Sequence, residues 1–178
     1  MADAADLITP KMHSWIGRKT PLRPLPVMTT SDIRRYMDAT GDRNPLWFDD
    51  EYARSAGYKG RLLPPALVGW MPFSIRENPD GSSADAPDLG RQVPVPENYT
   101  NRRNAGSETE WLIPVYPGAQ LSTQSGLVDI ALRQGRAGLG IYITQEEQVV
   151  NDDGDVVMRR RHTMALFAET KLANLQKE

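Results

Sequence analysis

Three long β-branched and apolar runs, Gln120 to Leu132, Leu139 to Val150 and Asp155 to Ala168, follow one another with little between them. Runs of this composition read as strands. The last two are joined by Asn151-Asp152-Asp153-Gly154-Asp155, a hairpin turn in its residue types. Strands joined by tight turns pair antiparallel, so the second half of the chain predicts one antiparallel sheet. Ser107 to Val115 alternates around Trp111 and Ile113 and adds a further strand, punctuated by Pro114 and Pro117. At 178 residues the chain is long enough for one domain with a core and too short for two ordinary ones.

The first half reads differently. Residues 1–13 are expected as a loosely held, flexible arm, and Ser14 to Thr20 as a short first strand ended by Pro21, Pro24 and Pro26. Thr29-Thr30-Ser31-Asp32 offers caps for a helix through about Ala39, with Ile33, Tyr36 and Met37 at helical spacing and Gly41 to end it. Asp49 or Asp50 caps a second helix, Asp50 to Ala56, closed by Gly57. Pro65 to Ile75 is apolar on nearly every face, which predicts a helix buried all round, with a kink or an early end at Pro72. The Pro-, Gly-, Asp- and Asn-rich segment 76–104 reads as an insertion loop, and 171–178 as a polar tail. Helices first and antiparallel strands after them spell an α+β fold.

Composition removes several classes of function. A formal net charge of −2 gives no case for nucleic acid or an anionic membrane as a partner. No window is apolar enough to span a bilayer and the first residues are acidic, so the expected location is the cytoplasm. Without cysteine there is no disulfide, thiol nucleophile or thiolate metal site. His13 and His162 are too few for an ordinary zinc centre, and no Gly-x-Ser-x-Gly elbow or phosphate loop is present.

The chemistry concentrates in Thr40-Gly41-Asp42-Arg43-Asn44-Pro45-Leu46-Trp47, followed by Asp50-Glu51-Tyr52-Ala53 and Gly60-Arg61-Leu62-Leu63-Pro64-Pro65. This arrangement resembles the hydratase motif of the MaoC-like family over about Ile16 to Phe167, with 76–104 as the insertion. The resemblance implies a single hotdog domain over 14–170, an antiparallel sheet wrapped around a buried central helix. It implies chemistry on enoyl thioesters, in which an Asp and a His five residues apart handle the protons of an added water. Asp42 matches the Asp and Asn44 the residue that orients it, while the His position holds Trp47. An indole donates a hydrogen bond but neither takes nor releases a proton near neutral pH. The resemblance also places a thioester-polarising backbone N–H around Leu67 to Gly69, and it calls for no cofactor.

The expected function is therefore one subunit of an (R)-specific enoyl-CoA hydratase or 3-hydroxyacyl-thioester dehydratase. This chain would be the non-catalytic half, shaping an acyl tunnel beside a hotdog partner with an intact Asp and His. Trp47, Leu67 and Gly69 would line the substrate site, and Arg159 and Arg161 could receive the phosphates of coenzyme A. Two alternatives stand beside it: a self-sufficient hydro-lyase using Asp42 with another base such as His162 or Tyr58, and a non-enzymatic acyl-CoA-binding homo-oligomer. Each residue also has a plainer role, because Asp and Asn in such turns commonly bond to their own backbone and a tryptophan beside them packs. Strand alternation puts His162 on the face of Met158, Met164 and Leu166, with Arg159 and Arg161 on the other.

Overall fold

Each β-branched run becomes one strand of a five-stranded antiparallel sheet in the computed structural model, which describes residues 7–73, 88–136 and 138–169. The strands are β1 (Arg23–Pro24), β2 (Asn101–Trp111), β3 (Leu121–Gly135), β4 (Gly138–Asn151) and β5 (Val156–Phe167), in the spatial order β1-β3-β4-β5-β2. The register sets Gln145 opposite His162, Glu146 opposite Arg161 and Glu147 opposite Arg160. Alternation then sends Glu147, Arg160 and His162 to one face and Glu146, Arg159 and Arg161 to the other.

The helices are α1 (Pro10–His13), α2 (Thr30–Thr40), α3 (Asp50–Ser55), α4 (Pro65–Trp70) and α5 (Leu89–Gln92). At the start of α2, the backbone N–H and hydroxyl of Thr29 donate to Asp32 Oδ2 at 2.8 and 2.7 Å. Gly41, left-handed at φ 72°, ends the helix with its N–H on Met37 O. Asp49 Oδ1 accepts from the N–H groups of Glu51 and Tyr52, capping α3. The α-helical part of α4 stops at Trp70 and passes into a 3-10 turn over Met71–Phe73, so Pro72 does bring the early end expected of it.

The expected burial of that helix on every side is corrected. Leu67, Val68 and Met71 pack into a core with Trp47, Leu63, Val149 and Met158, while Trp70 is 68% exposed. One face of α4 meets the core and its other face borders a groove, which explains why apolar residues occur all round it.

Three further expectations change. The first strand lies at Arg23–Pro24 rather than Ser14–Thr20, because Ser14 to Gly17 continue the turns after α1, with Ser14 N–H on Pro10 O and Ile16 N–H on His13 O. Along 17–25 the edge pairs only intermittently, with Lys19 bridging Gly126. Gly17, Thr20 and Leu25 supply its N–H groups to Leu127, Ser125 and Leu121. Residues 7–13, read as part of a loose arm, include α1, whose Met12 is fully buried against Leu127, Ile130 and Ile141 in a second core. Within the segment read as an insertion, 88–104 contributes α5 and the start of β2. The rest of that segment, 76–87, lies outside the described residues, as do the tail 171–178 and residues 1–6. No helix of the described residues is long and apolar enough to cross a membrane.

Candidate functional site

The turn after α2 holds Asp42 by contacts close in sequence. Asn44 N–H donates to Asp42 Oδ1 at 3.1 Å, and Leu46 N–H donates to Asn44 Oδ1 at 3.1 Å. Asn44 thus caps the 3-10 turn Pro45–Trp47 and fixes the carboxylate at once. That turn swings the indole of Trp47 back, so that its Nε1–H donates to Asp42 Oδ2 at 2.9 Å. Both carboxylate oxygens therefore accept a bond from within the turn. The indole ring is 8% exposed and belongs to the core shared with Val68 and Met71. What this pair can do is hold a turn; it cannot pass a proton from one partner to the other.

An ion pair anchors the next segment. Asp50 Oδ1 accepts from Arg61 N–H at 2.8 Å, and Arg61 Nε lies 3.1 Å from Oδ2. Hydrogen bonds from Arg61 hold the Asp50 carboxyl well below the usual carboxylate range. The chain between is tied to the motif by Leu62 N–H on Leu46 O at 2.9 Å.

The large cavity of the described residues, about 1070 Å³, lies on the opposite side of α4 from Trp47. Ala66, Gly69 and Trp70 form its helical wall, and β2 to β5 form its floor. Trp111, half exposed at its mouth, donates from Nε1 to Pro65 O at 2.9 Å and clasps β2 to the start of α4. On the floor Arg160 Nη2 donates to Gly69 O at 2.7 Å, and its Nη1 lies 3.4 Å from Glu147 Oε2. A Cβ at position 69 would sit 2.9 Å from that Nη2, so glycine here admits the guanidinium. Burial pushes the Glu147 carboxyl up, and the charges of Arg160 and Arg23 only partly offset it. From α5, Gly90 N–H donates to Gln145 Oε1 at 3.0 Å and Gln145 Nε2 to Asp88 Oδ1 at 3.0 Å, which sets α5 at the rim. Following α5, Val93 and Val95 pack into the second core.

The sequence-predicted residues thus divide into three places. Asp42, Asn44 and Trp47 meet in one turn, with Leu67 packed on the same core. Gly69 lines the groove across α4. Arg159 and Arg161 face the far side of the sheet, where Arg161 Nε lies 2.9 Å and Arg159 Nε 3.7 Å from the Glu146 carboxylate. Burial would raise Glu146, but the bonds from Arg161 and Gln148 outweigh it and leave it lowered. Of the N–H groups around Leu67 to Gly69, that of Val68 is committed to Pro64 O at 3.1 Å. Sequence reasoning missed Arg160 and Glu147. The signal was there in alternation, which sets Arg160 beside His162 and Met158 on an otherwise inward face. No group of three His, Asp or Glu side chains that could hold a metal ion occurs among the described residues.

This helix-on-sheet arrangement and its turn have counterparts among known proteins. A family model described as the FAS1-like dehydratase domain region matches residues 14–160. The chain belongs to this dehydratase family, of the MaoC-like hotdog type. Among curated relatives, this MaoC-like chain is 26% identical over 167 residues to a probable enoyl-CoA hydratase alpha subunit of Thermomonospora curvata, covering 90% of the chain and 52% of the relative. It is 47% identical over 117 residues to the 3-oxo-4,17-pregnadiene-20-carboxyl-CoA hydratase alpha subunit of Mycobacterium tuberculosis, covering 64% of the chain and 36% of the relative. It spans about half the length of the first and about a third of the second. Its fold superposes on a chain of the ChsH1-ChsH2 complex of Mycobacterium tuberculosis with a TM-score of 0.74 at 22% identity, covering 94% of each chain.

Proposed function

We propose that this MaoC-like chain is the non-catalytic subunit of an enoyl-CoA hydratase or 3-hydroxyacyl-thioester dehydratase, and that its groove holds the acyl group for a catalytic hotdog partner. The observation that carries this reading is the Trp47–Asp42 hydrogen bond at 2.9 Å. It stands where the family's acid–base pair would work, and it has no proton to exchange. Trp47 is packed into the core, away from the groove across α4, and holds the part-buried Asp42 beside it. A partner with an intact Asp and His would take the proton from water and protonate the α-carbon, while this chain supplies orientation and excludes solvent. The names of the relatives, two hydratase alpha subunits, support the assignment, and the match to a two-component complex supports a partnered state. The thioester is that of an acyl-CoA or an acyl carrier.

The self-sufficient alternative gains little support through His162, which lines the groove across α4 from Trp47 and its Asp42 partner, whereas Tyr58 packs on the same core as Trp47. The test is loss of enoyl absorbance with crotonyl-CoA and with a bulkier enoyl-CoA. The chain is assayed alone and with a hotdog hydratase subunit encoded beside it. Turnover only in the mixture is expected, whereas ordinary enzyme rates from the chain alone would sink the proposal.

A further inference from the structure

The far face of the sheet holds its arginines in two different ways. Arg159 and Arg161 share the Glu146 carboxylate, and Arg159 also lies 3.4 Å from Glu110. At the other end of the strands stand Arg103 on β2 and Arg133 on β3, with Arg136 at the turn into β4, all exposed. Among the described residues no ion pair reaches any of these three. Of the carboxylates at this end, Glu169 accepts from Thr100 Oγ1, and Asp129 stands opposite Thr144, four positions before Arg133.

Rings take the place of carboxylates. Arg133 Cζ lies 5.0 Å from the centre of the Tyr142 ring, and Arg103 Cζ lies 5.8 Å from that of Phe167. The rings themselves meet edge to face at 6.3 Å, so Arg103, Phe167, Tyr142 and Arg133 form one row across four strands. Gly140 leaves room for it, since a Cβ there would sit 2.8 Å from Phe167. A ring steadies a guanidinium without offering a lone pair. Apart from Arg103 Nε, 3.5 Å from Asn101 Oδ1, the N–H donors of the two arginines are therefore left for an outside oxygen. Like charges gathered without counter-charges repel one another, and carboxylates bonded to them would relieve that repulsion.

We propose that this end of the far face is a docking surface for a short acidic segment of another protein chain. The strands that bear Arg103 and Arg133 are about 14 Å apart, a span that about four residues of an extended segment cover. Two carboxylates on such a segment reach both ends of the row at once. A long polyanion such as a nucleic acid fits less well, because the opposite end of the sheet carries Glu108, Glu110, Asp152 and Asp153. The surface is separate from the groove, so its failure would leave the acyl-groove reading standing.

The test is calorimetric titration of the unmodified chain at low salt with hexaglutamate, hexaglutamine and inorganic pyrophosphate. Hexaglutamate should bind at least about tenfold tighter than either of the others. Arg103→Gln/Arg133→Gln should weaken it by at least about tenfold. Arg34→Gln/Arg54→Gln makes the same change of charge at exposed positions on α2 and α3, and should weaken it by about twofold or less. Should the first variant not fold, Arg136→Gln leaves both rings their cations and should cost at least about threefold. Equal losses in the two paired variants would reduce the effect to net charge, and equally tight pyrophosphate would make this a small-anion site. Either result overturns the proposal, as does no binding of hexaglutamate, or an unchanged Arg136→Gln chain where it stands in for the pair.

Discussion

An indole at position 47 fills part of the core and commits its one N–H to Asp42. Trp47→Phe keeps most of the ring's volume and leaves Asp42 Oδ2 without that donor. The expected loss is about 1–2 kcal/mol of folding stability, the usual cost of leaving a polar group unsatisfied, read from urea unfolding. Activity of the mixture with a catalytic partner should stay within about twofold, because the pair holds a turn and exchanges no proton. At this scale the sequence was informative wherever the contact is local. Asp42, Asn44, Leu46 and Trp47 meet within five positions along the chain, so their turn could be read directly. Arg160 could not be placed in that way, because what sets its role is Gly69, 91 positions away. Alternation separates the two faces of a strand but does not say which face a helix will cover.

Among the elements, β3, β4 and β5 were legible because β-branched runs and a hairpin turn are local signals. The one-turn helix α1 was not, since four residues carry little propensity and its place is fixed by the burial of Met12. The half-exposure of α4 escaped for a related reason: a helix apolar all round can be buried or can wall a groove. The Asp50–Arg61 pair, which fastens α3 to the strand of chain leading to α4, makes a pH prediction. Arg61 lowers the Asp50 carboxyl in the folded state from its ordinary 3.8. Its contribution is therefore fully present above about pH 4, begins to decline below that, and is lost only as pH falls through the lowered pKa of the folded state. Asp50→Asn lacks this contribution, so its stability should trail that of the unmodified chain at pH 6, and the gap should begin to narrow toward pH 3 without closing there. Thermal unfolding across that range checks this, and a constant gap would mean that the pair is not formed in solution.

At the scale of the whole molecule, the sheet formed by the described residues is finished on one side and open on the other. The β1 edge is short and interrupted by prolines, whereas the opposite edge, β2, runs from Asn101 to Trp111 with nearly every residue exposed. An unpaired edge of that length is seldom left bare. Above micromolar concentration the chain should sediment as a dimer or larger, or as a complex when its partner is present. A clean monomer by light scattering in both conditions would remove the paired-subunit reading.

That edge also has a direction. Arg102 and Arg103 stand near its beginning, and Glu108 and Glu110 near its end. A strand with the same order of charges meets opposite charges when laid antiparallel and like charges when laid parallel. The edge therefore works as a polarised connector: the sign pattern fixes which way round a neighbour can be plugged in, and added salt loosens that choice before it loosens the backbone ladder beneath it.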